Sequence, residues 1–231
     1  MKLQRFFLKE QTLVPGNQID VLDADLSNQI RKVFRMKTGD IVGLLDNSGV
    51  GYEAKIVEYG KDEISFLVTD TLLDVFIPDK EVWLYVCIPK KDKFELVVEK
   101  ATEIGVSHIV PVISSRTEKQ NINPVRIKRI IKEASEQSER GVKTELHESI
   151  NISDIPSDNM FAMHMQGESL GDCNIMSHEI VKVCIGPEGG FDESDMVIFS
   201  SKKIPLVSIG KQTLRAETAS IAISSVLLLT K

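Results

Sequence analysis

Cysteine is scarce in this chain, with three in 231 residues, at positions 87, 173 and 184. No two of them stand in CxxC spacing, so they imply neither a disulfide framework nor a structural zinc site, and they read as reduced, mostly buried thiols. Long apolar runs are missing as well. The longest, 82–88 and 226–229, fall far short of the roughly 20 residues that a membrane-spanning helix needs. Residues 1–10 contain no signal-peptide core and no small-residue cleavage site, which predicts a soluble, cytoplasmic protein without a membrane partner. There is no Walker loop, no GxGxxG, no internal repeat and no low-complexity stretch. The histidines at 108, 147, 164 and 178 show no metal spacing and no Ser or Cys partner. A zinc hydrolase and a catalytic triad are therefore not expected, no metal is predicted, and His108, in an apolar strand, reads as a core residue.

What is present is ordinary globular material, 42% hydrophobic and 27% charged, enough for one large domain or two small ones. The net charge of −6 argues against a nucleic-acid partner until it is counted by segment. Residues 1–40 hold seven Lys/Arg against five acids, residues 84–140 eleven against eight, and residues 141–199 two against eleven. Basic stretches concentrated on one surface can follow a phosphate backbone within a Debye length of about 8–10 Å, although solvated helix faces account for the same charges.

Residues 1–74 read as short strands, 4–8, 41–45, 52–58 and 64–69, with turn signals between them, which is a small β-barrel pattern. The one helical candidate there is 25–36, with Leu26, Ile30, Val33 and Phe34 at helical spacing and Arg31, Lys32 and Arg35 on the other side. Residues 74–80, with Pro78, read as a linker. Beyond it the pattern becomes α/β with a mostly parallel sheet. A strand at 82–88 leads to a helix opened by an Asp92/Glu95 capping box and ended by Gly105, then a strand at 108–113. Asn123-Pro124 opens a second helix that Gly141 should stop. Strands at 160–164, 180–185 and 205–209 follow, with a helix capped by Asp192 and a closing helix at 217–229.

The chemistry-bearing features cluster late in the chain. The strand Val183-Cys184-Ile185 runs into Gly186-Pro187-Glu188-Gly189-Gly190-Phe191, a turn whose glycines permit close backbone approach to a flat ligand. Alone, such a turn is more often a plain connection than a ligand loop. A second one raises the odds: Ile209-Gly210 ends the next strand and leads through Lys211-Gln212-Thr213 into Leu214-Arg215-Ala216-Glu217-Thr218-Ala219. Two such loops at the carboxyl ends of successive strands are where an open α/β sheet places its ligand. An ion pair at a helix start is the competing account of Arg215 and Glu217. The helix after Pro124 carries Arg126, Lys128, Arg129 and Lys132 near its start and Glu133, Glu136 and Glu139 near its end, against the macrodipole. Gln137 and Arg140 follow, suited to a base and to a phosphate or base edge, and Ser115-Arg116 ends a strand on the inferred ligand side.

Taken together, Glu99-Lys100-Ala101-Thr102-Glu103-Ile104-Gly105, Pro111 with Ser115-Arg116, Glu133-Ala134-Ser135-Glu136-Gln137-Ser138, the Ile185–Phe191 turn and Leu214–Ala219 resemble, in order and over nearly the whole chain, the RsmE family. These are ribosomal small-subunit RNA uridine-N3 methyltransferases of the SPOUT superfamily. The resemblance implies an N-terminal PUA-like, RNA-binding β-barrel over 1–74 and, over 75–231, a SPOUT α/β domain with a parallel sheet and a trefoil knot. It implies a homodimer with the closing helix at the interface, and S-adenosylmethionine held by Ile185, Gly186, Pro187, Glu188, Gly189, Gly190, Ile209, Gly210, Thr213, Leu214, Arg215 and Ala216, with Met163 as a further wall. Two segments depart from the family pattern: Asn28 replaces a usual His, and Arg140 leads into Gly141-Val142-Lys143-Thr144 where a Pro is common.

The implied reaction is methylation of N3 of a specific uridine in 16S rRNA, on single-stranded or splayed RNA, because N3 is hidden in a Watson–Crick pair. Arg140 or Arg116 is expected to hold the uracil or its phosphate, and Glu217 is a possible base or orienting group. Arg5, Arg31, Lys32, Arg35 and Gln137 are expected to contact surrounding RNA of the small subunit. The alternatives are a SPOUT methyltransferase on another RNA and a non-enzymatic RNA-binding or ribosome-assembly protein.

Overall fold

The computed structural model describes residues 3–9, 11–89, 91–117 and 122–230; Met1, Lys2, Glu10, Lys90, residues 118–121 and Lys231 lie outside the described residues. The chain divides into two compact units, Met1–Ile77 with Ser135–Val142, and Pro78–Ala134 with Lys143–Lys231.

In the first unit, β1 (Arg5–Phe7), β2 (Gln18–Leu22), β3 (Ile41–Leu45), β4 (Gly51–Tyr59) and β5 (Glu63–Leu72) form one sheet in the order β1-β3-β4-β5-β2, curled as a half-barrel. β1 lies parallel to β3 and the other pairs are antiparallel. Alternation along β4 and β5 sends Ala54, Ile56, Ile64, Phe66 and Val68 into the core. Helix α1 (Ala24–Asn28), whose Asp23 side chain accepts from the Asp25 and Leu26 N–H groups, adds Leu26. It widens into a π turn over Gln29–Val33 that buries Ile30. The helix stops short of the expected residue 36 because Arg35 takes a left-handed backbone, φ +55°.

The second unit follows the expected strand and helix alternation: β6 (Glu81–Cys87), α2 (Lys91–Ile104), β7 (His108–Ile113), α3 (Pro124–Gln137), β8 (Glu145–Leu146), β9 (Ile150–Asn151), β10 (Met160–Ser169), β11 (Ile180–Ile185), α4 (Glu193–Ser201), β12 (Leu206–Ser208) and α5 (Ala216–Leu229). The strands are in the order β12-β10-β11-β6-β7-β8, with β9 also on β7, and every pair is parallel. β6 is apolar from Val82 onward because both of its faces are covered. Val82, Leu84 and Val86 meet Phe94, Val97, Val98 and Ala101 of α2, Ile127 and Ile131 of α3, and Ala216, Ile223 and Leu227 of α5. Tyr85 and Cys87 face the other way, toward Ile152, Ile155 and Phe199 of α4. Burying each such aliphatic or aromatic side chain stabilises the unit by about 1.5–3 kcal/mol.

Two helix boundaries differ from expectation. α2 begins at Lys91, and the Glu95 carboxylate is engaged by Arg126, whose Nε and Nη2 donate to it at 2.6 and 2.7 Å. α3 is capped by Asn123, which accepts from the Arg126 N–H at 3.2 Å, but it ends at Gln137 ahead of Gly141 because Glu139 turns left-handed at φ +61°. The segment Ser135–Val142 then packs within the first unit. Phe76 N–H donates to Glu139 O at 3.0 Å, Gly141 N–H donates to Phe76 O at 2.9 Å, and the Glu136 carboxylate accepts from Phe7 N–H at 2.9 Å.

The path of the last strands positions the site. From β10 the chain passes through Leu170, Ile175 and Met176, which pack on the same core as α5, and enters β11 between β10 and β6. It crosses the opposite face as α4, adds β12 outside β10, and returns as α5 against α2, β6 and β11. β10 pairs with β12 at Met163↔Val207 and again at Glu168↔Val207, so residues 164–167 loop out between the two registers. Gly167 permits this, since a Cβ there would stand 2.4 Å from the Val207 nitrogen.

Candidate functional site

Three loops converge at the carboxyl ends of β7, β11 and β12, the ligand-bearing edge of an open parallel sheet. After β11, Ile185 and Pro187 are buried while Glu188, Gly189 and Gly190 are exposed at the tip of the turn. Gly190 takes φ +71°, a backbone that side-chain-bearing residues rarely adopt, and its N–H donates to Pro187 O at 2.8 Å. The turn is braced from below by Phe191, packed edge-on to Phe199 at 4.7 Å. It is closed by the capping box in which Asp192 accepts from Asp195 N–H and Asp195 accepts from Asp192 N–H.

The end of β7 is tied to that turn. Arg116 Nη1 donates to Gly189 O at 2.6 Å, and Ser115 Oγ donates to Asp192 Oδ2 at 2.5 Å. The Ser115 hydroxyl, followed by the Ser194 hydroxyl and the Asp195 N–H, holds the Asp192 carboxyl well below the usual carboxylate range. Asp195 shifts the other way, raised chiefly by its burial.

After β12, Ser208 Oγ donates to Gly210 O at 2.7 Å and folds the chain back. Thr213 Oγ1 donates to Met165 Sδ at 3.1 Å, joining this loop to the looped-out stretch of β10 beside half-buried Met163. Leu214 is 38% exposed, an apolar surface at the rim. Arg215 is the exposed N-cap of α5, and its carbonyl accepts from Ala219 N–H at 2.8 Å. Ala216 and Glu217 are buried behind it. Glu217 Oε1 lies 3.4 Å from Lys93 Nζ of α2, so the ion pair at this helix start is made with Lys93.

The structure thus brings Met163, Ile185–Gly190, Ile209, Gly210, Thr213–Ala216, Arg116 and Glu217 together in the second unit. Arg5, Arg31, Lys32, Arg35, Gln137 and Arg140 belong to the first. Arg31, Lys32 and Arg35 are exposed at the end of the π turn, with Arg31 5.7 Å from the Tyr59 ring, and Gln137 is exposed at the end of α3. Two expected contact residues are instead interior. Arg5 is 5% exposed, and its guanidinium pairs with Asp74 at 2.8 Å and Glu139 at 3.4 Å. Arg140 is 1% exposed, its Nε donates to Val142 O at 2.9 Å, and burial lowers its pKa to about 10. Both guanidinium groups are engaged by groups of the first unit. Sequence reading missed Lys93, Met165 and Asp192 as parts of the site; the signal for Met165 was a glycine, Gly167, inside a strand otherwise polar at its end.

A family model described as an RNA methyltransferase domain matches residues 77–228, and one described as an RNA methyltransferase PUA domain matches residues 22–69. Among curated relatives, the ribosomal RNA small subunit methyltransferase E of Rickettsia conorii is 29% identical over 99% of this chain and 97% of its own. That of Aquifex aeolicus is 31% identical over 85% and 89%. Among solved structures, the ribosomal RNA small subunit methyltransferase E of Neisseria gonorrhoeae, bound to S-adenosyl methionine, shares the fold with a TM-score of 0.88 at 24% identity, covering 98% of this chain and 97% of that one. A Legionella pneumophila protein in complex with bound SAM gives 0.89 at 23% identity over the same shares. A domain match spanning both the parallel sheet and its converging loops, with a relative above 30% identity along most of the length, means that the chain belongs to the ribosomal RNA small subunit methyltransferase E family.

Proposed function

We propose that this protein methylates N3 of a uridine in small-subunit ribosomal RNA with S-adenosylmethionine, working in the cytoplasm as a homodimer. The observation that carries the reading is the convergence of the Gly186–Gly190 turn and the Ile209–Ala216 loop at one sheet edge, in a chain of this family. The loops suit that cofactor chemically. They offer main-chain groups and an exposed Leu214, and lack the Lys-Ser/Thr of a phosphate cradle, so they fit a ligand with a flat base and no phosphate. Ile185–Gly190, Ile209, Gly210 and Thr213–Ala216 would hold it, with Met163 as a wall. When bound, it supplies an electrophilic methyl group on a sulfonium.

The chain's own residues do the rest. A uridine N3 is a weak acid, and a fixed cation beside it favours the anion that attacks. Arg116, exposed and hydrogen-bonded to Gly189 O, would take that role. Glu217, paired with Lys93, orients the start of α5. Arg31, Lys32, Arg35 and Gln137 take the surrounding RNA. A trefoil knot is consistent with the path of α5, which returns to the centre of the sheet on the face that also carries the β10–β11 connection. The half-buried Ile221, Ala222 and Leu228 of α5 are the proposed dimer contacts.

Calorimetric titration of S-adenosylmethionine tests the site, with Gly190→Val as the control, because φ +71° excludes a branched side chain there. Saturable binding lost in a folded variant is the expected result. A folded wild-type protein that binds no S-adenosylmethionine would contradict the proposal.

A further inference from the structure

The opposite edge of the parallel sheet carries a second group of side chains that the methyl-transfer reading does not use. Glu145 and His147 stand two apart on and just beyond β8, and a spacing of two on a strand puts both on one face. β8 pairs with the start of β7 so that Glu145 lies opposite His108, and His147 N–H donates to Ile109 O at 3.0 Å. His108 Nδ1 lies 3.0 Å from His147 Nε2 and 3.4 Å from Glu145 Oε2, while His147 Nε2 lies 3.9 Å from Glu145 Oε1. The three side chains thus turn one donor atom each toward a common point, all within 4.8 Å of one another.

We propose that His108, His147 and Glu145 form a binding site for a first-row divalent cation of the zinc type. In a tetrahedral site with metal–ligand distances of 2.0–2.1 Å, ligand atoms stand roughly 3.3 Å apart, a value bracketed by the 3.0 and 3.4 Å separations from His108 Nδ1 to His147 Nε2 and Glu145 Oε2. Two imidazoles and one carboxylate are the donor set of zinc, cobalt, nickel or copper and not of magnesium or calcium. Three protein ligands leave the fourth position to water. The surroundings support the ring orientations such a site needs. Glu81 Oε1 lies 3.5 Å from His108 Nε2, the nitrogen pointing away from the cluster, and also accepts from Trp83 Nε1 at 2.6 Å. A carboxylate at the far nitrogen of a ligating histidine fixes the tautomer that leaves the near nitrogen available. The Trp83 ring stacks on His108 at 3.8 Å and on His147 at 4.8 Å, forming a floor under both. The Glu145 side chain is 63% exposed, so a cation can enter from solvent. The role that follows is structural, since a bound ion would join the two-residue β8 to β7 at the end of the sheet away from the Gly186–Gly190 turn.

Trp83 is the chain's single tryptophan, which makes the test direct. Chelator-treated protein is titrated with Co2+, following Trp83 fluorescence and visible absorption, and with Zn2+ by calorimetry. One equivalent should quench the emission, with Mg2+ inert. His147→Gln and Glu145→Gln should each weaken Zn2+ binding about tenfold or more; His178→Gln should leave it unchanged. Glu145→Gln alters an exposed side chain and keeps the fold, so its result is readable even where a histidine variant is unstable. Equal Zn2+ binding in wild type and His147→Gln would overturn the site. So would the absence of binding with a Trp83 emission that titrates with pH, which would identify the cluster as a proton-sharing histidine pair.

Discussion

Charge at single residues separates into cations that are spent inside the fold and cations that are offered outward. Arg140 and Arg5 are buried, and sequence could not distinguish them from Arg116 or Arg35, because burial is decided by segments far apart in the chain. Arg140→Ala should therefore lower stability by about 2–3 kcal/mol in urea unfolding while leaving the RNA affinity of the folded protein unchanged; a loss of RNA affinity at unchanged stability would return Arg140 to the site. Asp192 carries a pH dependence of definite sign. Its folded carboxyl, held below the ordinary value by the Ser115 and Ser194 hydroxyls, contributes stability that is fully present above about pH 4 and is lost as pH falls through the depressed folded value. The melting-temperature gap between wild type and Asp192→Asn should accordingly be open at neutral pH and close on strong acidification. The glycines of 186–190 were legible because their chemistry lies in a contiguous run. The His108, Glu145 and His147 cluster was not, being assembled from two strands with 36 residues between the first two members.

Elements with both faces buried or with a clear cap were read from sequence nearly to the residue, β3, β7 and β11 among them. Those missed are short and half-polar. β2, Gln18–Leu22, buries only Val21, and β8 and β9 are two residues each, held by pairing with β5 or β7 and not by any pattern of their own. Helix ends were misplaced where a side-chain-bearing residue does the work usually given to glycine, as at Arg35 and Glu139. α4 ends the same way: Lys203 takes φ +55°, its N–H donates to Ser200 O at 3.1 Å, and Ile204 N–H donates to Phe199 O at 2.9 Å, the double bond of a Schellman cap. Lys203→Gly should stabilise the protein by about 0.5–1 kcal/mol in thermal unfolding, relieving left-handed strain at an exposed position; a destabilised variant would show that the lysine stem is itself needed.

For the molecule as a whole, a net charge of −6 coexists with an exposed basic group, Arg31, Lys32 and Arg35, set in the half-barrel unit. Arg35→Ala should weaken RNA binding and reduce the slope of log affinity against log salt by about one, without altering S-adenosylmethionine affinity. A parallel sheet was readable from the change in hydrophobic period near residue 80. That Ser135–Val142 packs within the first unit was not, because the pairing of Phe76 with Arg140 is made by backbone groups that any sequence carries. Methyl transfer to uridine N3 is read from its product. Purified protein would be incubated with S-adenosylmethionine and small subunits lacking the modification, and the ribosomal RNA digested and resolved by mass spectrometry. The expected product is N3-methyluridine at one position of the RNA, in equal measure with the methyl consumed. Methyl found on a ribose oxygen or on another base, or none at all with the cofactor bound, would contradict it.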